Sequence, residues 1–172
     1  MIIEELRVAL NISEEDDSLD EKVEGLYALV KKIFTQLTRV ELSEATHIDI
    51  FTNFDSTKAF LHSGPVVSIT RVEATSTFGS TAELITEFQA INDTLFFKSN
   101  INAFKLVVEY VAGFSNIPEE IDQILIKMLS YLWKYDDNKI MISTGGEAIL
   151  APKDIQFPKV IYDAIAIYRI GI

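Results

Sequence analysis

The sequence contains no cysteine. Disulfides, thiolate metal sites and cysteine nucleophiles are therefore excluded together, and a protein folded in a reducing cytoplasm is expected. There are only two histidines, His47 and His62, each beside an expected strand and with no partner at metal-ligand spacing, so neither is read as a ligand or a catalytic base. Basic side chains are scarce as well: 15 against 26 acidic ones, a net charge of −11. The chain lacks the positive footprint of a phosphate-binding surface and is not expected to grip DNA. No apolar run approaches the roughly 18 residues of a membrane span. Met1, Ile2, Ile3, Glu4 and Glu5 place acids where a secretory signal carries basic residues, so a soluble protein without a leader is expected.

What is present is a chain of 172 residues, 48% apolar and 24% charged, enough for one domain with a real core and attached arms. Leu19, Val23, Leu26, Tyr27, Val30, Ile33, Phe34 and Leu37 recur in steps of three and four, the spacing of one helical face. Ser18 with Glu21 forms a possible capping box, acids at 14–17 suit the positive end of the dipole, and Lys31 and Lys32 suit the other end. A shorter helix over 2–10, with Ile3, Leu6 and Leu10 on one side, gives an N-terminal helix pair within 1–40.

Over 47–111, Thr, Val, Ile and Phe dominate and turn residues recur, the composition of a β section. Segments 47–51 and 58–61 flank Asn53, Phe54, Asp55 and Ser56, which predicts a hairpin; 66–74 follows Gly64 and Pro65; 84–88 and 95–97 are shorter candidates. In 104–110, Phe104, Leu106, Val108 and Tyr110 fall on one face, and Gly113 ends the strand. Pro118 with Glu119 and Glu120 opens a central helix to 135, whose Ile126, Leu129 and Trp133 widen the apolar stripe. Residues 136–157 read as an exposed loop hinged at Ser143, Thr144, Gly145 and Gly146. Pro158 opens a last helix, within 158–172, bearing Val160, Ile161, Ala164, Ile165 and Tyr168. The sequence shows no internal repeat. The resulting expectation is an α+β fold, mainly α: a helical bundle body with an inserted antiparallel β section and a C-terminal helix and tail.

The patterns that could carry chemistry read as ordinary structure. The acids of 14–20 lack the alternating ligands, central glycine and closing glutamate of a calcium loop. Gly145 and Gly146 lack the lysine and hydroxyl of a phosphate loop, and no serine sits in a nucleophile elbow. Asp136 and Asp137 are solvated residues where a helix runs into a loop. No catalytic residue, metal or cofactor is expected.

The order of elements, together with several short motifs, resembles the head-tail connector (adaptor) family of tailed bacteriophages. After the helix pair, Pro65-Val66-Val67-Ser68-Ile69-Thr70-Arg71-Val72 resembles the family's proline and strand "V-x-S-I-x-x-V". Val108-Glu109-Tyr110-Val111-Ala112-Gly113-Phe114 is similar to its "V-x-Y-x-A-G-Y", with Phe114 in place of the tyrosine, and Ile117-Pro118-Glu119-Glu120-Ile121 follows at once. Pro158-Lys159-Val160 through Tyr168-Arg169 resembles the closing "P-x-V…Y-R", while the long 136–153 loop is less typical.

The resemblance implies a structural subunit, not an enzyme, that joins copies of itself in a ring below the portal, a dodecamer by portal symmetry. Its partners would be the portal protein, neighbouring copies and the next tail-side connector or stopper, with assembly in the bacterial host cytoplasm and residence at the head-tail junction of the virion. It further implies that the C-terminal segment reaches the portal, with Phe157, Tyr162, Ile165, Tyr168, Arg169 and Ile170 as contacts. Acidic residues lining the channel would repel the phosphate backbone and let DNA pass without specific binding. The alternatives are another small tail completion or terminator protein, a small hydrolase or binding module, and an acidic DNA mimic. The hydrolase requires a pocket with two or more perturbed ionisable groups, and the mimic requires carboxylates along one face.

Overall fold

The computed structural model describes residues 3–13, 17–134 and 155–169. They fall into two compact units, one from Met1–Thr38 and Ile117–Tyr168, the other from Arg39–Asn116 and Arg169–Ile172.

The first unit is helical: α1 (Ile3–Leu10), α2 (Asp20–Thr38), α3 (Glu119–Lys134) and α4 (Lys159–Ala166). On α2, Val23, Leu26, Val30, Ile33 and Phe34 are buried at the predicted spacing. The helix runs on to Thr38, whose hydroxyl donates to the Phe34 carbonyl at 2.8 Å. Lys31 and Lys32 therefore sit inside α2, and its last turn holds no basic residue, contrary to the expected placement. On α3, Ile121, Ile124, Leu125, Met128, Leu129 and Leu132 form one buried face against α1, α2 and α4. Leu129 belongs to that face, and Ile126 and Trp133 are half-buried on its flanks. Each fully buried aliphatic side chain contributes on the order of 1.5–3 kcal/mol. Polar links tie the helices: Arg7 Nε donates to Asp20 Oδ1 at 2.6 Å, with a second contact from Nη2 to Oδ2, and the Tyr27 hydroxyl lies 3.4 Å from Asp122. Burial first, then the negative charge of Asp122, pushes the Tyr27 phenol up to about 12.

The second unit is one antiparallel sheet. Its order is β1 (Ala45–Phe60), β5 (Thr94–Ala112), β2 (Val66–Thr75) and β3 (Glu83–Leu84), with β4 (Phe88–Ile91) also paired to β5. β5 is the spine: β1 lies along it from Ala45 opposite Ala112 to Phe60 opposite Thr94. On its other side β2 pairs from Val66 opposite Ala112 to Thr75 opposite Lys105, and β4 takes the far end. Leu61, Val72, Leu95, Leu106, Val108 and Tyr110 are the buried centre of this unit.

These strands overturn the mainly α expectation: among the described residues 37% are strand and 35% helix, and the fold is not a helical bundle body. The hairpin predicted at 53–56 does not form. Asn53 does take a left-handed φ of 51°, as a turn residue can, yet β1 continues through it and only the register shifts between Ser56 and Lys58. Pairing with β5, distant in sequence, outweighs the local turn signal. The 84–88 strand divides instead: β3 ends at Leu84, Ile85 N–H donates to the Val72 carbonyl at 2.9 Å, and β4 begins at Phe88. Phe104 is exposed although Leu106, Val108 and Tyr110 are buried, because the alternation changes face at the adjacent buried Ala103.

Candidate assembly interface

α4 is the element on which the sequence placed most contact residues. Pro158 caps it with φ −56° and ψ 148°, leaving its carbonyl to accept Ile161 N–H at 2.9 Å, as suits a residue with no N–H to satisfy. One side of the helix packs inward. Ile161 and Ile165 are buried, as is Phe157 before the helix, its ring 5.6 Å from Tyr131 and 6.2 Å from Tyr162. The Phe157 N–H donates to the Tyr162 hydroxyl at 3.4 Å. Tyr168, half-buried, lies 6.2 Å from Phe34. Ile155, at the end of the segment read as an exposed loop, is buried too.

The other side faces solvent: Val160 is 72% exposed and Ile167 78%, with Arg169 also exposed. Of the six expected contacts, then, Phe157 and Ile165 are core, Tyr162 and Tyr168 are shared, and Arg169 is free to meet a partner. Ile170 lies outside the described residues, as do Ser143, Thr144, Gly145 and Gly146. Ile167, seven residues after Val160, lies on the same exposed side.

The sheet holds a second surface that sequence patterning missed. A sheet with one wet face alternates apolar inward and polar outward, but β1 inverts this. Its Asp49 and His47 are the half-buried members, while Ile48 and Ile50 are 59% and 54% exposed. The inversion has a cause. Asp49 Oδ2 accepts the Tyr110 hydroxyl at 3.1 Å and the His62 N–H at 2.8 Å, with His62 Nδ1 at 3.1 Å, and Tyr110 accepts the Ser63 N–H at 3.0 Å. This network holds the 61–65 segment, with its cis Gly64-Pro65 bond, on the strands. Burial first, then Asp49, pushes the Tyr110 phenol up to about 12.

Among the described residues no group of three or more His, Cys, Asp or Glu is placed to hold an ion. No described helix is long and apolar enough to cross a membrane. A shallow depression of about 360 Å³ is lined by Glu87, Phe88, Gln89, Phe96, Phe97 and Lys98. Its two charged residues, Glu87 and Lys98, bond to each other at 2.8 Å.

A sequence model of the head completion proteins matches residues 2–170. The chain belongs to the head completion protein family. It is a structural protein of the head-tail junction. Solved structures share its fold. A chain of the neck of an empty gene transfer agent particle, computed with C6 symmetry, superposes with a TM-score of 0.68 at 10% identity, over 99% of this chain and 90% of that one. A chain of the native gene transfer agent virion gives 0.68 at 12% identity with the same coverage. A chain of the native neck computed with C12 symmetry gives 0.56 at 12% identity, over 97% of this chain and 87% of that one. No curated protein matches.

Proposed function

We propose that this head completion protein is a ring-forming connector that docks on the portal, in twelve copies where the portal has twelve, and offers a platform to the next tail-side protein. The observation that carries the reading is the family match over 2–170. The fold held in common with a chain of a neck computed with C12 symmetry supports the copy number. The work of such a subunit is assembly: a surface on each copy meets its neighbour head to tail until the rotation closes. No reaction is assigned to it. Assembly takes place in the host cytoplasm and the finished ring stays in the virion neck, with DNA passing through its bore. The net charge of −11 favours passage without adhesion, since carboxylates repel phosphates.

The portal-facing contacts come from the outward side of α4, Val160 and Ile167, with Arg169 beside them, while Phe157 and Ile165 hold the helix in place. Exposed aliphatic residues flanked by a cation fit an interface core and its polar rim. Tyr162 and Tyr168 contribute their exposed edges.

The test is the mass of the full chain alone and mixed with purified portal, by native mass spectrometry. A full ring complement added per portal is expected. Absence of binding at every salt concentration would remove the connector reading and leave other tail proteins as the partners to try.

A further inference from the structure

The sheet has two unpaired edges at the same level. β1 is the outermost strand, and β2 pairs with β3 only at Glu73 and Ala74, so among the described residues neither 45–52 nor 66–70 has a strand on its outer side. Both lie opposite the same end of β5, with Ala45 and Val66 each facing Ala112.

Hydrogen-bond direction shows what these edges offer. Gly113 N–H donates to the Pro65 carbonyl at 2.9 Å, so the peptide groups at this end of β5 are set: Val111 and Glu109 bond toward β2, Ala112, Tyr110 and Val108 toward β1. The Val72 carbonyl, opposite Val108, then points away from β5, and it does accept Ile85 N–H on that side. On β1 the same alternation turns the N–H and C=O groups of Thr46, Ile48, Ile50 and Thr52 outward.

Natural edge strands are guarded by charge, proline or bulges. The far half of β1 has such guards in left-handed Asn53, Asp55, the register shift after Ser56, and Lys58. The near half has none. Its one charged residue, Asp49, is turned inward to Tyr110; 66–70 holds no charge, and its guards are limited to Pro65 before it and register shifts between Val66 and Ser68 and between Ile69 and Arg71. Ile48, Ile50 and Val67, the last 53% exposed, stand beside these open edges.

We propose that copies in the ring join edge to edge, the 66–70 edge of β2 pairing with the 45–52 edge of β1 in the next copy, so that the sheets continue as one closed belt. This rests on the ring reading. The occupant is a second copy because the two edges complete each other. β1 and β2 are both antiparallel to β5 and so run in the same direction, and a rotation about an axis along the strands brings them together as a parallel pair. Such a heterologous contact closes into a ring and leaves no edge open. It also covers Ile48, Ile50 and Val67 with one another.

The test uses the full chain with purified portal. Ile48→Pro removes an N–H that bonds nothing within the copy, a position where a strand tolerates proline, and its melting should stay near the parent's. The parent fills the portal; Ile48→Pro needs about tenfold more protein to half-fill it. Because the chain has no cysteine, Thr46→Cys and Val67→Cys in one chain place a thiol on each edge. A short bismaleimide then gives a covalent ladder up to the full ring on the portal, whereas either single variant stops short of a ladder. The ladder decides the matter even if the proline variant unfolds. Full rings from folded Ile48→Pro, or no ladder from portal-bound rings, overturn edge pairing and leave the ring reading standing. A parent that never adds a ring overturns both.

Discussion

Tyr110 on the central strand donates its hydroxyl to Asp49 on the edge strand across 3.1 Å, a diagonal pair, since Tyr110 stands opposite His47 and Asp49 opposite Val108. The bond explains why β1 turns a carboxylate inward and its isoleucines outward. Tyr110→Phe leaves the Ser63 N–H without its partner and removes one donor from Asp49, so a loss of about 1–2 kcal/mol is expected. Chemical denaturation measures it.

The same hydroxyl sets an alkaline limit. Tyr110 and Tyr27 are each raised from 10.0 to about 12, so the folded state favours the neutral phenol. The stability this confers is complete below the unfolded value near 10 and is lost as pH rises through about 12. Tyrosinate absorbance should show two late-titrating groups, and Tyr110→Phe should leave one. Two late groups persisting in that variant would assign the shift elsewhere.

Gly113 ends β5 with φ 122°, and a Cβ built there would lie 2.2 Å from the Ser43 carbonyl oxygen. Backbone must move to admit it. Gly113→Ala is expected to cost about 3 kcal/mol, read as a lower denaturation midpoint with an unchanged slope.

Ile165 and Ile167 separate packing from recognition on one helix. Ile165 is fully buried, so Ile165→Ala should cost about 2–5 kcal/mol. Ile167 is 78% exposed, so Ile167→Asp should change stability by less than about 0.5 kcal/mol while weakening portal binding at least about tenfold. Unchanged binding by Ile167→Asp would move the portal contact off α4.

The helices and the strand from 104 to 110 were legible because their signals are local. On α2 and α3 a three-four spacing of apolar residues reports one buried face whatever the rest of the chain does. The elements that were misread depend on partners distant in sequence. Asn53 and Asp55 resemble turn residues in any short window, yet they lie within β1 because β5 holds that strand in one register from Ala45 to Ser56. On the last helix the sequence marks the apolar stripe that packs inward at Phe157 and Ile165, while the exposure of Val160 and Ile167 is visible only in the folded chain.

By itself the sequence determined the helix positions, the absence of cysteine, thiolate and phosphate-loop chemistry, and, through the order of its motifs, the family. Tertiary structure alone decided that strands match helices in extent, that Asp49 turns inward while Ile48 and Ile50 turn out, and which edges stay unpaired. Those outcomes depend on Tyr110 reaching across to a neighbouring strand and on β5 choosing its partners. Pairing between distant segments is a property of the folded chain, and no local pattern encodes it.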